Sequence, residues 1–182
     1  MPPRIPYSEA GMALKKVFLS LGSNLGNRRK NLTAALEGIE RESIHITARS
    51  SIYETEPQDV TDQPWFLNMV VHCETHYLPV QLLAAVQRVE HTLGRVRTGR
   101  PRRGPRIIDI DILLFGTVAL RNERLTIPHP RMLERRFVLE PLLEIAPTLR
   151  DPITGETLSK RLSLVQNQGL RKGGDSGVPP LS

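Results

Sequence analysis

Cysteine is nearly absent from this chain of 182 residues, which contains Cys73 and no other. A lone thiol forms no internal disulfide and builds no cysteine cluster for zinc. Aromatic residues are also scarce, at 4% of the chain, so the placement of each one is informative. The composition therefore argues against a disulfide-stabilised scaffold and against a cysteine-based zinc module.

Long apolar segments and common nucleotide motifs are missing as well. No uncharged apolar run approaches the roughly 20 residues that a membrane-spanning helix needs. The N-terminal residues MPPRIPYSEAGMALKK have no apolar core of the signal-peptide kind. We therefore expect a soluble, cytoplasmic protein without a membrane partner. The chain also lacks a P-loop and a GxGxxG motif, which argues against a Walker-type kinase and a Rossmann domain.

Positive charge, in contrast, is abundant. The net charge is +6, and the isoelectric point is about 10.0. Such a balance suits nucleic acid and equally a polyphosphate substrate. Its distribution is uneven, because the segment from Gly94 to Arg106 carries six arginines and no acid: Arg95, Arg97, Arg100, Arg102, Arg103 and Arg106. Asp109 and Asp111 follow directly, so a basic loop adjoins an acidic strand.

Hydrophobic periodicity predicts strand, helix, strand, strand, helix and strand, in that order. Two such β-α-β halves joined by a hairpin form the ferredoxin-like arrangement, an α+β fold with a mainly antiparallel sheet and both helices on one face. The opposite face is then open and can carry a site. A C-terminal hairpin around TVALRNERLTI and a partly helical segment, PHPRMLERRFVLEPLLEIAP, follow the core.

We expect one domain over residues 16–168. Residues 1–15 carry three prolines and no periodicity, which predicts a flexible extension. Residues 169–182, GLRKGGDSGVPPLS, have the composition of a disordered tail.

Two carboxylates interrupt an otherwise apolar strand between Ile107 and Leu114. Alternation places Asp109 and Asp111 on one face and Ile108, Ile110, Ile112 and Leu114 on the other. Like charges roughly 6.6 Å apart raise each other's pKa and destabilise the fold unless a positive group lies between them. Magnesium fits this need, because it takes one or two protein carboxylates together with phosphate oxygens and water. The alternative is a pair that only forms salt bridges with the preceding arginines, although six arginines exceed what two carboxylates can use.

Other residues fit a nucleotide or heterocycle site less specifically. Gln87 and Glu90 are three apart on the second helix, where they face one groove or are simply solvated. His129, between two prolines, is placed to donate to a phosphate or has a structural role. Phe66 and Asn68 share a strand face, and a ring beside an amide suits a flat heterocycle, with core packing as the alternative for the phenylalanine.

Several motifs together resemble the hydroxymethyl-dihydropterin pyrophosphokinase family of the folate pathway. They run from about Val17 to Pro147, in the order LSLGSNLGN, SSIYET, DQPWFLN, QRVEHTLGRVR, RGPRIIDIDILLFG and LTIPHPRMLERRFVLEPLLEIAP. The resemblance implies transfer of pyrophosphate from ATP to the hydroxymethyl group of 6-hydroxymethyl-7,8-dihydropterin, with release of AMP. It also implies that the substrates are small molecules, with no nucleic acid, and we expect a monomer.

The resemblance further assigns roles to individual residues. Asp109 and Asp111 would hold two magnesium ions and, with Arg95 and Arg106, form the catalytic set. The pterin would lie between Phe66 and Phe137, its edge read by Asn68 and the backbone near Thr55 and Pro57. ATP would be bound by seven residues: Gln87, Glu90, Arg97, Arg106, Thr126, His129 and Arg135.

The residues, considered without the family resemblance, are also compatible with two other functions. A basic ferredoxin-like sheet with aromatics on an open face is also what an RNA-binding module offers, although Asp109 and Asp111 would repel a phosphate backbone. The second rival is a magnesium-dependent enzyme that transfers one phosphoryl group, which would release ADP instead of AMP.

Overall fold

The architecture is an antiparallel sheet with helices on both faces. The computed structural model describes residues 13–57, 62–95 and 104–173. Along the chain the elements are β1 (Lys15–Ser23), α1 (Arg28–Arg41), β2 (His45–Arg49), β3 (Tyr53–Thr55), β4 (Phe66–Thr75), α2 (Pro79–Thr92), β5 (Asp109–Phe115), β6 (Leu120–Arg121), β7 (Thr126–Ile127), a short 3-10 helix (Met132–Glu134), α3 (Arg136–Ile145), α4 (Leu158–Leu164) and β8 (Leu170–Lys172). No helix in these three ranges is long and apolar enough to cross a membrane.

The main sheet has the strand order β5-β1-β4-β3-β8, and β2 also pairs with β4. Every one of these pairings is antiparallel, as predicted. The central strand β1 places Gly22 between Asp109 of β5 and Asn68 of β4, while Ser20 lies beside Asp111. The predicted C-terminal hairpin is formed by β6 and β7.

Helices α1 and α2 pack on the first face of the sheet. Their apolar stripes recur every three to four residues, as an amphipathic helix requires, and they meet alternate residues of β1, β4 and β5 in one buried core. Asn27 caps α1 by accepting a hydrogen bond from the Lys30 N–H at 3.0 Å. This side of the protein matches the predicted helix-covered face.

The second face is only partly open, which corrects the expectation of an uncovered face. Helices α3 and α4 pack on one half of it, over a second core that contains Val70 and Leu114 with Phe18 packed against it. Nearer the other end of the same strands, the positions on this face are polar or small: Ser20 and Asp111, for example, line a cavity. The sheet face is therefore divided between a core and a site.

A β-bulge in β5 corrects the predicted orientation of Leu114. Leu19 pairs with Ile112 and Phe18 with Leu114, so Leu113 is an extra residue on β5. An extra residue breaks the strict alternation of side chains. Ile112 consequently belongs to the first core, whereas Leu113 and Leu114 both belong to the second.

The beginning of the predicted disordered tail is a strand. Residues Leu170–Lys172 form β8, which pairs with β3 through Leu170 and Thr55, Arg171 and Glu54, and Lys172 and Tyr53. The segment is polar and glycine-rich, but backbone pairing to a sheet edge depends little on its side chains. Residues 174–182, and residues 1–12 of the predicted N-terminal extension, lie outside the described ranges.

Candidate active site

A cavity of about 330 Å³ opens on the half of the second sheet face that α3 and α4 leave free. Strands β1, β4 and β5 form its floor, and its walls come from the end of β3, the loops before β4 and β5, and the segment from His129 to the beginning of α3. Its described lining residues are Ser20, Gly22, Thr55, Glu56, Gln63, Phe66, Asn68, Arg95, Arg106, Asp109, Asp111, His129, Arg131, Arg135 and Phe137. Most of the residues that the sequence assigned to catalysis and to the pterin are thus brought together.

The two aspartates share a face, as predicted, but their partners differ. The Asp109 carboxylate accepts hydrogen bonds from Arg95 and Arg106, one on each oxygen. Asp111 has more distant partners: its Oδ2 lies 3.8 Å from Nε2 of His129 and 4.0 Å from Nη1 of Arg135. The alternative interpretation, in which the aspartates only form salt bridges with the preceding arginines, therefore fits Asp109 better than Asp111.

Asp111 also differs from Asp109 in its electrostatic environment. The Asp111 side chain is 39% exposed, and that exposure opens into the cavity. Enclosure in the cavity, reinforced by the neighbouring Asp109 carboxylate, raises the pKa of Asp111 above its ordinary value. A cation held between the two carboxylates would offset this repulsion.

His129 is fixed beside Asp111 as a neutral imidazole. Burial, followed by the charge of Arg135, lowers the pKa of His129 to about 4. Its Nδ1 accepts a hydrogen bond from the Arg131 N–H at 3.2 Å, so in the neutral ring Nε2 carries the proton and faces Asp111. The His129 N–H donates to the carbonyl of Leu113, the extra residue of the bulge, at 2.9 Å.

The donor chemistry of the aspartate pair fits magnesium. Carboxylate oxygens are the hard ligands that magnesium takes, usually one or two from protein with the remainder from phosphate and water. Among the described residues there is no group of three or more histidine, cysteine or acidic side chains that would hold a metal ion by itself. Two carboxylates are the number that magnesium commonly takes from a protein when phosphate and water supply its other ligands.

One end of the cavity suits a flat heterocycle. Phe66 and Phe137 both line it, with Asn68 on the floor between β1 and β3. The Asn68 amide is 3% exposed and donates to Oγ1 of Thr55 at 2.6 Å, which fixes its orientation. Pro57, the remaining predicted pterin residue, is buried and is not among the described lining residues.

Gly22 makes room for that amide. A Cβ atom at this position would lie 2.9 Å from Oδ1 of Asn68. Only glycine therefore allows the side chain of Asn68 to lie across β1.

A second cavity, of about 350 Å³, adjoins the first. It is lined by Gln87 and Glu90 of α2 and by Thr126 of β7, three residues that the sequence assigned to ATP. Both cavities share four lining residues, Arg95, Asp109, Asp111 and His129. Arg106 and Arg135 line the first cavity, and Arg97 lies outside the described ranges.

Glu90 has a different environment from the one that its predicted ATP contact suggests. It is 1% exposed, and its Oε1 accepts hydrogen bonds from the Ile110 N–H at 2.8 Å and from Arg95. Ile110 lies between the two aspartates. The buried carboxylate thus attaches α2 to β5 at the site and orients Arg95.

Sequence reasoning missed Asn24, which joins the two loops at the cavity rim. Its Nδ2 donates to Oε1 of Gln63 and to the carbonyl of Pro64, both at 3.1 Å. Its Oδ1 accepts from the Arg106 N–H at 2.8 Å, and its own N–H donates to the Arg106 carbonyl at 3.1 Å. The signal was the asparagine of the Gly-Ser-Asn sequence, directly after the last residue of β1, because asparagine side chains often hold turns by hydrogen bonds to the backbone.

Comparison with known proteins identifies the family. The model of the 7,8-dihydro-6-hydroxymethylpterin-pyrophosphokinase family matches residues 18–147. A 2-amino-4-hydroxy-6-hydroxymethyldihydropteridine pyrophosphokinase of Methylorubrum extorquens is 41% identical over 160 residues, which cover 87% of this chain and 99% of that protein. The folic acid synthesis protein fol1 of Pneumocystis carinii is 40% identical over 164 residues, or 90% of this chain.

The chain spans 22% of the length of the Pneumocystis protein. Among solved structures, a Plasmodium falciparum HPPK-DHPS aligns with a TM-score of 0.68 at 17% identity, covering 86% of this chain and 46% of that one. This structural likeness concerns the fold, whereas the family match covers the paired aspartates, both cavities and the histidine loop. The chain belongs to the 7,8-dihydro-6-hydroxymethylpterin-pyrophosphokinase family.

Proposed function

We propose that the chain transfers a pyrophosphoryl group from ATP to the hydroxymethyl oxygen of 6-hydroxymethyl-7,8-dihydropterin, releasing AMP in folate biosynthesis. The observation that carries the proposal is the meeting of two cavities at Asp109 and Asp111. A transfer between two small molecules needs a pocket for each and a charged junction where donor and acceptor meet. Relatives named as pyrophosphokinases and as folate synthesis proteins support the same activity.

The first cavity is the proposed pterin subsite. Phe66 and Phe137 supply ring faces, and offset stacking against an aromatic heterocycle is favourable. Asn68, held by Thr55, presents its amide to the ring edge. A buried site built for hydrogen bonding discriminates strongly against rings that lack the matching groups.

The second cavity is the proposed ATP subsite. Gln87 and Thr126 contribute polar side chains, and His129 presents a protonated Nε2 to a phosphate without adding charge. We retain Arg97, Arg106 and Arg135 as phosphate ligands, because a guanidinium matches the geometry of phosphate oxygens. Glu90 is assigned to support of the site through Ile110 and Arg95.

The chemistry is an in-line displacement at the β-phosphorus of ATP. The substrate hydroxyl oxygen releases its proton to water and forms a bond to that phosphorus, the bond to the α,β-bridging oxygen breaks, and AMP leaves. Magnesium, two ions in our proposal, would be held by Asp109 and Asp111 and would supply charge neutralisation at the phosphates. Arg95 and Arg106, which bind Asp109 here, would stabilise the charge on the departing α-phosphate.

We further infer that the core is ferredoxin-like and acts as a monomer on small molecules without nucleic acid. The order β5-β1-β4, followed by β2 and β3 on β4, is the order expected when two β-α-β halves interleave in an antiparallel sheet.

Product analysis tests the proposal. The protein is incubated with magnesium, ATP and the hydroxymethyl-dihydropterin, and nucleotides are separated by anion-exchange chromatography. AMP that forms only when the pterin is present, in equal amount to the pyrophosphorylated pterin, is the expected result. Pterin-dependent ADP would establish single phosphoryl transfer instead, and no nucleotide turnover would overturn the proposal.

A further inference from the structure

Residues 166–173, named here the C-terminal strap, lie beyond the segment that matches the family model. They run from the turn after α4 through β8. The strap contacts two separate walls of the first cavity, one at the beginning of α3 and the other along β3. These contacts give the strap an effect on the site although the strap itself lies outside the lining.

Gln168 attaches the strap to the first wall. Its Oε1 accepts a hydrogen bond from the Arg136 N–H at 2.9 Å, and its Nε2 donates to the Glu134 carbonyl at 2.7 Å. The guanidinium of Arg136 donates in return to the carbonyls of Gln166 and Gln168, both at 3.0 Å. The two backbone groups that Gln168 binds flank Arg135, and Phe137 is the next residue along the chain.

This arrangement caps α3 from a distance. The helix begins at Arg136, and the preceding residue, Arg135, makes no side-chain capping hydrogen bond. The first N–H groups of a helix have no partner within the helix. Gln168 supplies one, so the start of α3, and with it the direction of Phe137, depends on a residue of the strap.

The strap meets the second wall at β3. Leu170 pairs with Thr55, and the Gly173 N–H donates to the Ile52 carbonyl at 2.7 Å. Gly169 lies against the carboxylate of Glu56, since a Cβ atom there would be 3.0 Å from its Cδ. Thr55 and Glu56 both line the first cavity.

We propose that Gln168 is a positioning residue for the pterin subsite: through the strap, it sets the distance between the Phe137 wall and the Thr55–Glu56 wall. The inference rests on the proposed function, because it names what the cavity binds. Thr55 pairs with Phe66 across β3 and β4, so the distance between these walls also sets the separation of the Phe66 and Phe137 rings. A heterocycle held between the two rings tolerates little change in that separation, and misplacement by about 1 Å can cost on the order of a hundredfold in rate. ATP has further contacts in the second cavity, to Gln87 and Thr126, where the structure places no part of the strap.

Gln168→Met tests the proposal, because it keeps the length of the side chain and removes both hydrogen bonds. Binding of the pterin is measured by calorimetry with magnesium and α,β-methylene-ATP present, and binding of the nucleotide is measured alone. We expect the Kd for the pterin to rise at least tenfold and the Kd for the nucleotide to change less than threefold. Gln168→Glu retains the acceptor for the Arg136 N–H and should recover part of the pterin affinity.

Gln166→Ala is the matched control. Within the part of the chain that the structure describes, its side chain donates to the Leu162 carbonyl alone, at 3.3 Å, so both Kd values should stay at the wild-type level. The strap also has an optical reporter, because Trp65 is the one tryptophan of the chain and Cζ of Arg171 lies 4.8 Å from its ring centroid. Acrylamide quenching of Trp65 should increase in Gln168→Met and not in Gln166→Ala.

The outcomes separate the two proposals. Wild-type protein that makes no AMP contradicts the proposed function. Active wild-type protein with unchanged pterin affinity in Gln168→Met overturns the positioning role. Equal losses for both ligands, or a lower melting temperature with both Kd values unchanged, would likewise reduce Gln168 to a structural residue.

Discussion

At the scale of single residues, Asp109 and Asp111 share one strand face but differ in their partners. Asp109 pairs with both Arg95 and Arg106 and so contributes to stability as well as to the site. Asp111 lies 3.8 Å or more from its basic partners and is repelled by its neighbour. Identical substitutions at the two positions should therefore have different consequences for folding.

Asp111→Asn should lower kcat by orders of magnitude while leaving the melting temperature equal to or above that of the wild type. The amide preserves shape, removes a ligand for the cation and relieves like-charge repulsion. Asp109→Asn should also lower kcat, and it should reduce the free energy of unfolding by about 1 to 3 kcal/mol, between the values for exposed and buried ion pairs. Steady-state kinetics and thermal melts measure both effects.

Glu37→Gln serves as the charge control for this pair. Its carboxylate pairs with Arg41 on the outer face of α1, with the two side chains 58% and 75% exposed. Its kcat and melting temperature should be those of the wild type. Near-normal turnover of Asp111→Asn at saturating magnesium would refute the assigned role.

Phe137→Ala should weaken pterin binding far more than ATP binding. The ring lines the first cavity, with Cζ of Arg135 lying 5.4 Å from its centroid. Stacked aromatic pairs are worth about 0.5 to 1.5 kcal/mol beyond their burial, so a loss of tenfold or more in pterin affinity is expected. Calorimetry with each ligand measures the difference.

Leu133→Ala is the control for lost packing. Leu133 and Phe137 both pack against the second core, but Leu133 is not among the described lining residues of the cavity. The control should lower the melting temperature without a selective loss of pterin affinity. Equal losses for pterin and ATP in Phe137→Ala would argue against a stacking role.

At the scale of elements, the close approach between β1 and the Asn68 side chain allows the role of Asn68 in pterin binding to be tested. Gly22→Ala would bring a methyl group to 2.9 Å from Oδ1 of Asn68. Such overpacking costs about 1 to 3 kcal/mol, and it should also turn the amide away from the cavity. We expect a lower melting temperature together with a selective rise in the Kd for the pterin.

Gly38→Ala separates overpacking from its effect on the site. A Cβ atom there would lie 2.7 Å from Cγ1 of Val89, between α1 and α2 and away from both cavities. This variant should lose stability with unchanged ligand affinities. If Gly22→Ala behaved in the same way, Asn68 would not be the reader of the pterin edge.

Glu144 fastens α3 to the edge of the sheet. Its carboxylate accepts hydrogen bonds from the hydroxyls of Ser51 and Tyr53, both at 2.7 Å, and from Nζ of Lys172 in β8 at 3.3 Å. Burial by itself would raise the pKa of Glu144, but these hydrogen bonds outweigh it and hold the pKa below its ordinary value. The ionised form is therefore the one that stabilises the fold.

Glu144→Gln should destabilise the protein by about 1 kcal/mol at pH 7, a charged hydrogen-bond contribution reduced for partial exposure. A lowered folded-state pKa adds stability that is complete above the unfolded glutamate pKa of about 4.3 and is lost as pH falls through the folded value. The difference in melting temperature between variant and wild type should thus shrink below about pH 4. A difference that stays constant down to pH 3 would contradict this account.

At the scale of the whole molecule, periodicity accounts for most of the fold but not for its exceptions. Alternation and helical spacing correctly predicted β1, β4, α1, α2 and the shared face of the aspartates. They missed the β-bulge at Leu113, because a prediction from strict alternation assumes that no extra residue is inserted in the strand. They missed β8 because pairing at a sheet edge is long-range and leaves little trace in a polar segment. The ATP contact of Glu90 stays a prediction, whereas its hydrogen bonds to Arg95 and to the Ile110 N–H could not be read from the sequence, because they depend on how α2 packs against β5.

The net charge of +6 is compatible with the alternative function, nucleic-acid binding, and RNA competition tests that alternative. Carboxylates line both cavities beside the basic side chains, and Asp109 and Asp111 are common to the two, which suits a small metal-bound polyphosphate and disfavours a continuous phosphate backbone. An RNA of about 20 nucleotides should not compete with magnesium ATP at about 0.15 M salt, where non-specific binding of protein to nucleic acid is weak. Fluorescence anisotropy measures this, and tight competition by RNA would favour the alternative.

The bulge at Leu113 has a consequence for how such a site can be built. An inserted residue leaves a carbonyl unused by the neighbouring strand, and here that oxygen receives the His129 N–H. The inserted residue thus shifts the alternation of side chains along β5, and its carbonyl gives the loop that carries His129 a hydrogen-bond acceptor. Removing Leu113 would do more than shorten β5, because the backbone N–H of His129 would lose its acceptor and the second core would lose one of its two β5 leucines.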